Sequence, residues 1–143
     1  MNQSETNIDS QLEIRQVSHE HGNQVAEFLQ PFMDQNFLLK REYEEILILM
    51  EHGFAAFDGE KIVGFAAVEV YSRKLAELQC LAVSPDYRRM GIAKSLVTRC
   101  CEVATKAGVK ELLAISASDE LFIACGFDYS LPNQKRALFF HPE

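Results

Sequence analysis

The chain has 143 residues, of which 48% are hydrophobic, and a formal net charge of −7 at pH 7. This length predicts one domain with a substantial core, and the acidic balance argues against nucleic acid or an anionic membrane as a partner. No apolar run reaches the roughly 20 residues that a membrane-spanning helix needs. Residues 1–11 are polar and have the character of neither a signal peptide nor a transit peptide, so we expect a flexible tail, a single domain over 12–143 and a cytoplasmic protein.

The first half of the chain predicts a strand, two helices and a hairpin. Ser18 is a plausible N-cap, and Pro31 is expected to interrupt the helix that Ser18 begins. Asp58 and Gly59 lie between two apolar runs, which is the turn chemistry that hairpins favour. The predicted elements are a strand at 13–17, a helix from 18 to about 29, a helix at 42–51 and hairpin strands at 54–57 and 61–71.

The second half alternates strands with helices. Gly108 and Gly126 are natural stops for two helices, and Ser118 can cap the shorter one. The predicted elements are a strand at 77–83, a helix from 90 to about 107, a strand at 112–115, a short helix at 119–124 and a final strand at 136–140. Short connections favour parallel pairing of 112–115 with 77–83, which predicts a mixed α/β sheet. The last strand could leave an apolar edge, so a homodimer is plausible.

The segment between the strand at 77–83 and the long helix has the composition of an anion-binding loop. Gly91 lets the backbone approach an anion closely, because no Cβ stands in the way. The unpaired N–H groups in the first turn of the helix point at such an anion, and the helix dipole favours negative charge there. Arg88 and Arg89 can add charge-assisted hydrogen bonds. The alternative is an ordinary strand-to-helix loop with surface arginines.

The pattern Arg88-x-x-Gly91-x-Ala93, between a strand and a helix, resembles the pyrophosphate loop of the GNAT superfamily of acyl-CoA-dependent N-acetyltransferases. The resemblance extends over 14–140 and implies the GNAT fold, acetyl-CoA as co-substrate and no metal. It also implies that the strand before the loop diverges from its parallel neighbour and so frees backbone groups for the pantetheine arm. The implied CoA contacts are Leu81, Ala82, Val83, Arg88, Arg89, Met90, Gly91, Ile92, Ala93, Lys94, Ser95 and Phe122.

Glu77 is the candidate general base. Transfer of an acetyl group to an alkyl amine requires the amine to lose a proton, and an amine with a pKa near that of lysine, ~10.4, is mostly protonated at neutral pH. Glu77 precedes Gly91 by 14 residues, a spacing that resembles that of the strand glutamate serving as base in histone-acetylating members of the superfamily. The alternative is a solvent-facing glutamate on an alternating strand.

Two further residues bear on the mechanism. Many superfamily members carry a tyrosine four residues before a terminal Gly-Phe, where it protonates the leaving thiolate. This chain has Phe122 at that position, so we expect Phe122 to pack against the helix or the CoA arm. Cys80 is an alternative nucleophile for a ping-pong route, although a strand cysteine is more often a small core residue.

Within the superfamily, the chain resembles the acetyltransferase domain of N-acetylglutamate synthases. The similar segments are 37–41, 77–88 and 131–139. This resemblance implies a dicarboxylate amine such as glutamate as acceptor, with Lys40, Arg41 and Lys74 as the cations that bind it. At Ala117 and Cys125, by contrast, that family carries arginines. Two alternatives therefore stay open: acetylation of a peptide or protein amine, and a CoA-binding regulatory module without turnover.

The cysteines and histidines give no sign of a metal site. The four cysteines contain no C-x-x-C pair, and without a secretory signal we expect reduced thiols. His19 and His21 form an H-x-H at a predicted helix start, where surface histidines are more plausible than metal ligands.

Overall fold

The structure is a computed structural model that describes residues 12–116, 119–134 and 137–142. Within these ranges, five strands form one sheet in the order β1-β2-β3-β4-β5. The strands are β1 Leu12–Gln16, β2 Gly53–Asp58, β3 Lys61–Val70, β4 Leu75–Val83 and β5 Glu111–Ala114. Neighbours among the first four strands run antiparallel, whereas β5 runs parallel to β4, as predicted. The predicted tail at 1–11 lies outside the described residues.

Helices cover both faces of the sheet. They are α1 Gly22–Asp34, α2 Tyr43–Leu49, α3 Ile92–Ala107 and α4 Glu120–Ala124. One buried cluster joins α1 and α2 to the sheet, with Leu29, Ile46 and Phe65 each no more than 2% exposed. A second cluster joins α3 and α4 to the other face and includes the fully buried Leu96. The predicted mixed α/β sheet is therefore confirmed.

Helix α1 contradicts the prediction that Pro31 would end it. The helix continues through Pro31 to Asp34, because its last turn places Met33 in the core at 5% exposure, and this burial offsets the hydrogen bond that proline cannot donate. The helix ends at Asp34, and Asn36, two residues later, takes a left-handed conformation with φ of 61°. The N–H of Phe37 then donates to the carbonyl oxygen of Phe32 at 2.9 Å, as in a Schellman cap.

Strand β4 contains a bulge at Cys80 and Leu81. Ala82 pairs with Phe65 and Gln79 pairs with Ala67 on β3, so two residues of β4 oppose the single residue between them. Cys80 has a φ of 60°, in the left-handed region that non-glycine residues rarely occupy. The bulge resets the alternation of side chains along the strand.

The pairing of β4 with β5 ends just before the bulge. Their parallel pairing runs from Leu75 with Glu111 to Leu78 with Ala114 and goes no further in the described ranges. The second half of β4 therefore has backbone groups on its β5 side that no strand of the described chain pairs. This divergence is what the family resemblance predicted.

The predicted final strand at 136–140 is wrong for the residues that the structure describes there. Residues 137–142 form no strand, and Leu138, Phe139 and Phe140 are 92%, 68% and 88% exposed. An apolar run alone does not make a strand, because the backbone also needs a partner edge, and this segment pairs with none in the described chain. Arg136 and the predicted cap Ser118 lie outside the described residues, and α4 begins at Glu120.

Candidate active site

The loop after β4 presents the first turn of α3 to solvent. A short 3₁₀ turn at Pro85–Tyr87 follows the strand, and Arg89 and Gly91 then take left-handed conformations with φ of 67° and 80°. The first backbone bond of α3 runs from the N–H of Ser95 to the carbonyl oxygen of Gly91 at 3.0 Å. The N–H groups of residues 92–94 lie ahead of that bond and have no partner within the helix. The strand–loop–helix prediction is confirmed, although α3 starts at Ile92 rather than Met90.

The loop suits an anion in shape and charge. A Cβ added at Gly91 would meet no heavy atom within 4 Å, so the backbone there faces open space. Arg88, Arg89 and Lys94 are exposed, and α3 has no acidic residue in its first turn. These features favour negative charge in front of the helix.

Contacts with the β2–β3 turn fix the loop. The hydroxyl of Tyr87 donates a hydrogen bond to Oδ2 of Asp58 at 2.5 Å, and Nζ of Lys61 lies 5.9 Å from the centre of the Tyr87 ring. A cavity of about 440 Å³ adjoins the loop at Ser84 and Arg88, and α1 forms its opposite wall. Sequence reasoning missed these contacts, since they join residues about 25 to 30 positions apart.

The strand positions predicted to contact CoA lie where β4 leaves β5. Leu81, Ala82 and Val83 follow the bulge; Ala82 is buried, and its neighbours are half-buried. Their backbone therefore continues directly from the diverging edge to the anion-binding loop. The predicted CoA-binding backbone is continuous from Leu81 to Ser95.

Glu77 lies on β4 just before the bulge, within a polar cluster. Its Oε1 accepts a hydrogen bond from the hydroxyl of Tyr71 at 2.6 Å. On the neighbouring strand, Glu69 pairs directly with Glu77, so two carboxylates share one face of the sheet. Gln79, only 7% exposed, donates through Nε2 to Glu69 at 2.8 Å and to the Tyr71 hydroxyl at 3.0 Å.

The predicted acceptor-binding cations lie in two kinds of environment. Lys40 and Lys74 are exposed, whereas the side chain of Arg41 is only 17% exposed. Arg41 donates through Nη2 to Oε1 of Gln79, and its Nη1 lies 4.0 Å from Glu45. Arg41 therefore joins the Glu77 cluster, whereas the described structure shows no side-chain contact between either lysine and this cluster.

Cys80 and Phe122 have buried side chains. Cys80 packs in the α1–α2 core cluster, where burial raises the pKa of its thiol and nearby Arg41 only partly opposes that rise. Phe122 is 8% exposed, and its ring centre lies 5.2 Å from that of Phe127 in an edge-on contact. These positions favour the packing interpretation for both residues.

In the described ranges, no group of three or more His, Cys, Asp or Glu residues is arranged to hold a metal ion. His19 and His21 lie in a short 3₁₀ turn ahead of α1. None of the helices in those ranges is both long enough and apolar enough to cross a membrane.

Comparison with known proteins decides the family. A model of the acetyltransferase (GNAT) family matches residues 18–127. The chain belongs to this family. The expectation of an acetyl-CoA-dependent N-acetyltransferase with the GNAT fold is thereby confirmed at the level of the family.

Relatives of this acetyltransferase include both short and long proteins. An uncharacterized N-acetyltransferase of Chlorobaculum tepidum is 25% identical over 80% of this chain and 74% of its own length. The amino-acid acetyltransferase of Photorhabdus laumondii is 26% identical over 92% of this chain, which spans only 31% of that protein. Among solved structures, N-acetylglutamate synthase from Neisseria gonorrhoeae, complexed with coenzyme A and N-acetyl-glutamate, matches with a TM-score of 0.69 and 26% identity over 79% of this chain and 27% of its own.

Substitution of Gly91 tests the anion-binding loop. We expect Gly91→Ala to weaken binding of CoA by at least about tenfold, because a methyl group would stand in front of the first turn of α3. The matched control is Gly108→Ala at the other end of α3, where φ is 73° and the added Cβ also meets no heavy atom within 4 Å. Isothermal titration with CoA compares the two variants, which share a similar backbone strain of about 1 kcal/mol. Equal affinities in both variants would contradict the assignment.

Proposed function

We propose that this protein transfers an acetyl group from acetyl-CoA directly to the primary amine of a small molecule, with an amino acid such as glutamate as the first candidate acceptor. The observation that carries the proposal is the arrangement of β4. That one strand holds Glu77 before its bulge and, after it, a β5-side edge that no strand of the described residues pairs, and it ends at the anion-binding loop. Base, acyl site and diphosphate site thus follow one another along a single stretch of chain.

The residues present fit the diphosphate of CoA. Open space at Gly91, the unpaired N–H groups of residues 92–94 and the exposed Arg88 and Arg89 supply the donors and positive charge that a diphosphate requires. The diverging edge at residues 81–83 would hold the pantetheine arm through backbone groups. One of those N–H groups would also stabilise the carbonyl oxygen as it gains charge.

Glu77 would remove the proton from the amine. Acetyl-CoA supplies an activated acetyl group as a thioester, so the chain has to orient the amine and accept its proton. Glu77 is half-buried, and Tyr71 bonds only one of its two carboxylate oxygens, Oε1, in the interactions that the structure shows. The carboxylate therefore keeps acceptor capacity for an ammonium group, either directly or through one water.

The charges around Glu77 allow two classes of small acceptor. Lys40, Arg41 and Lys74 are the predicted partners of an acceptor carboxylate, as a glutamate acceptor requires. Against this, Glu69 lies directly opposite Glu77, and two neighbouring carboxylates favour a second positive charge on the acceptor. A cationic amine is therefore the second candidate. A peptide amine and a regulatory module without turnover are further outcomes of the assay below.

Removal of the candidate base tests the reaction. We expect Glu77→Gln to lower kcat by about 100- to 10,000-fold while binding of CoA is retained, because the amide cannot accept the proton. The matched control is Glu111→Gln, the same change at an exposed position on β5. Release of CoA is measured with L-glutamate, other amino acids, spermidine and a lysine peptide as acceptors.

The acceptor that turns over decides the finer assignment. Saturable turnover of L-glutamate supports the amino-acid proposal, and turnover of spermidine alone supports the cationic amine. Turnover of the peptide alone would contradict a small-molecule acceptor. CoA binding without turnover of any acceptor would contradict the enzymatic proposal, and full activity of Glu77→Gln would contradict the role of Glu77.

Removal of the buried thiol tests direct transfer against a ping-pong route. Burial raises the pKa of Cys80, so its thiol is protonated at neutral pH and is a poor nucleophile. We therefore expect Cys80→Ala to keep kcat within a few-fold of wild type, and mass spectrometry of the wild-type protein mixed with acetyl-CoA to show no acetylated cysteine. Loss of turnover in the variant together with an acetyl adduct on Cys80 would contradict direct transfer.

A further inference from the structure

A chain of hydrogen bonds leads from Arg41 to Glu77. Arg41 donates to Oε1 of Gln79, and Nε2 of Gln79 donates to the hydroxyl of Tyr71 at 3.0 Å. The Tyr71 hydroxyl donates to Oε1 of Glu77 at 2.6 Å. The four side chains come from the α1–α2 loop, β4 and the end of β3, so only the folded sheet brings them together.

Chemistry fixes the direction of this chain. A guanidinium has donors only, so Arg41 forces the oxygen of the Gln79 amide to face it and turns the amide nitrogen toward Tyr71. Glu69 supports the same orientation, since its carboxylate accepts from that nitrogen at 2.8 Å. The Tyr71 oxygen receives a hydrogen from Gln79, and its single proton is therefore left for Glu77.

We propose that Tyr71 is a positioning residue for the candidate base, held in its donor role by Arg41 through Gln79. This inference rests on the proposed function of Glu77 as base and goes beyond it, since it assigns a role to the side chain that bonds the base. The bond to Oε1 orients the Glu77 carboxylate. Arg41 acts here through two intervening side chains rather than on the reacting atoms.

Tyr71 keeps its proton over the whole pH range in which an enzyme acetylates an amine. Partial burial of the hydroxyl, then the bond to Glu77 and the charges of Glu77 and Glu69, raise the pKa of Tyr71 above its ordinary value. The donor chain therefore stays intact as pH rises. The charged groups that face it are Glu69 on β3, Arg41 ahead of α2 and Glu45 on α2.

A titration that needs no acceptor tests the inference first. The carboxyl carbon of Glu77 is followed by ¹³C NMR as a function of pH in the wild type and in Tyr71→Phe, with Glu77→Gln to assign the signal. Loss of the donor changes the hydrogen bonding of the carboxylate, so we expect the Glu77 signal of Tyr71→Phe to differ from that of the wild type across the pH range. Tyr71 is 50% exposed, so the variant is expected to fold. The control is Tyr43→Phe, the same change at an exposed tyrosine on α2.

The second test measures the kinetic effect of Tyr71→Phe in the wild type and in the Glu77→Gln variant, with L-glutamate or spermidine as acceptor. We expect Tyr71→Phe to lower kcat about tenfold, while KM for acetyl-CoA stays unchanged. In the Glu77→Gln background the same change is expected to cost nothing further, because Tyr71 acts through Glu77. Gln79→Glu, which removes the donor to Tyr71, is expected to lower kcat in the same direction.

The outcomes separate this inference from the proposed function. If Glu77→Gln keeps full activity, the proposed base is wrong. If Glu77→Gln loses activity but Tyr71→Phe behaves like Tyr43→Phe in titration and turnover, the base stands and the positioning role is overturned. An equal loss from Tyr71→Phe in both backgrounds would also overturn it, since Tyr71 would then act independently of Glu77.

Discussion

The bulge at Cys80 is the constraint on which the rest of the site depends. A non-glycine residue in the left-handed region costs on the order of 1 kcal/mol, and the fold holds Cys80 there through burial against α1 and α2. The bulge separates β4 into a half that pairs with β5 and a half that does not. The first half holds Glu77 in a hydrogen-bonded cluster, and the second half leads to the loop at Gly91.

In the polar cluster around Glu77, hydrogen-bond donors stabilise two carboxylates that lie opposite each other. Glu69 and Glu77 lie opposite each other on neighbouring strands, an arrangement that is unfavourable when both are charged and unpartnered. The amide nitrogen of Gln79 bonds one carboxylate, and the Tyr71 hydroxyl bonds the other, so each receives a donor. The guanidinium of Arg41 bonds Gln79 rather than either carboxylate. The two acids are therefore left available to a positive charge from outside the protein.

Local signals in the sequence predicted much of the fold and the loop, but not the cluster. Gly91 and Gly108 mark the ends of α3 because each takes a left-handed conformation that few other residues adopt easily. Pro31 was misleading because packing of the last turn of α1 outweighed the lost hydrogen bond, and Asn36 was the stop signal that the sequence did contain. The pairing of Glu69 with Glu77 depends on the strand register that the β3–β4 turn sets, and no local pattern of residues reveals that register.

An amide NMR titration with CoA tests most directly whether the diverging edge of β4 binds the cofactor. A ¹H–¹⁵N spectrum reports each backbone N–H separately, so it locates the ligand without any assumption about the acceptor. We predict that the largest shifts fall on residues 81–83 at the diverging edge and on residues 91–94 at the start of α3. Shifts concentrated in the cavity between α1 and the loop, with residues 81–83 unchanged, would contradict the account.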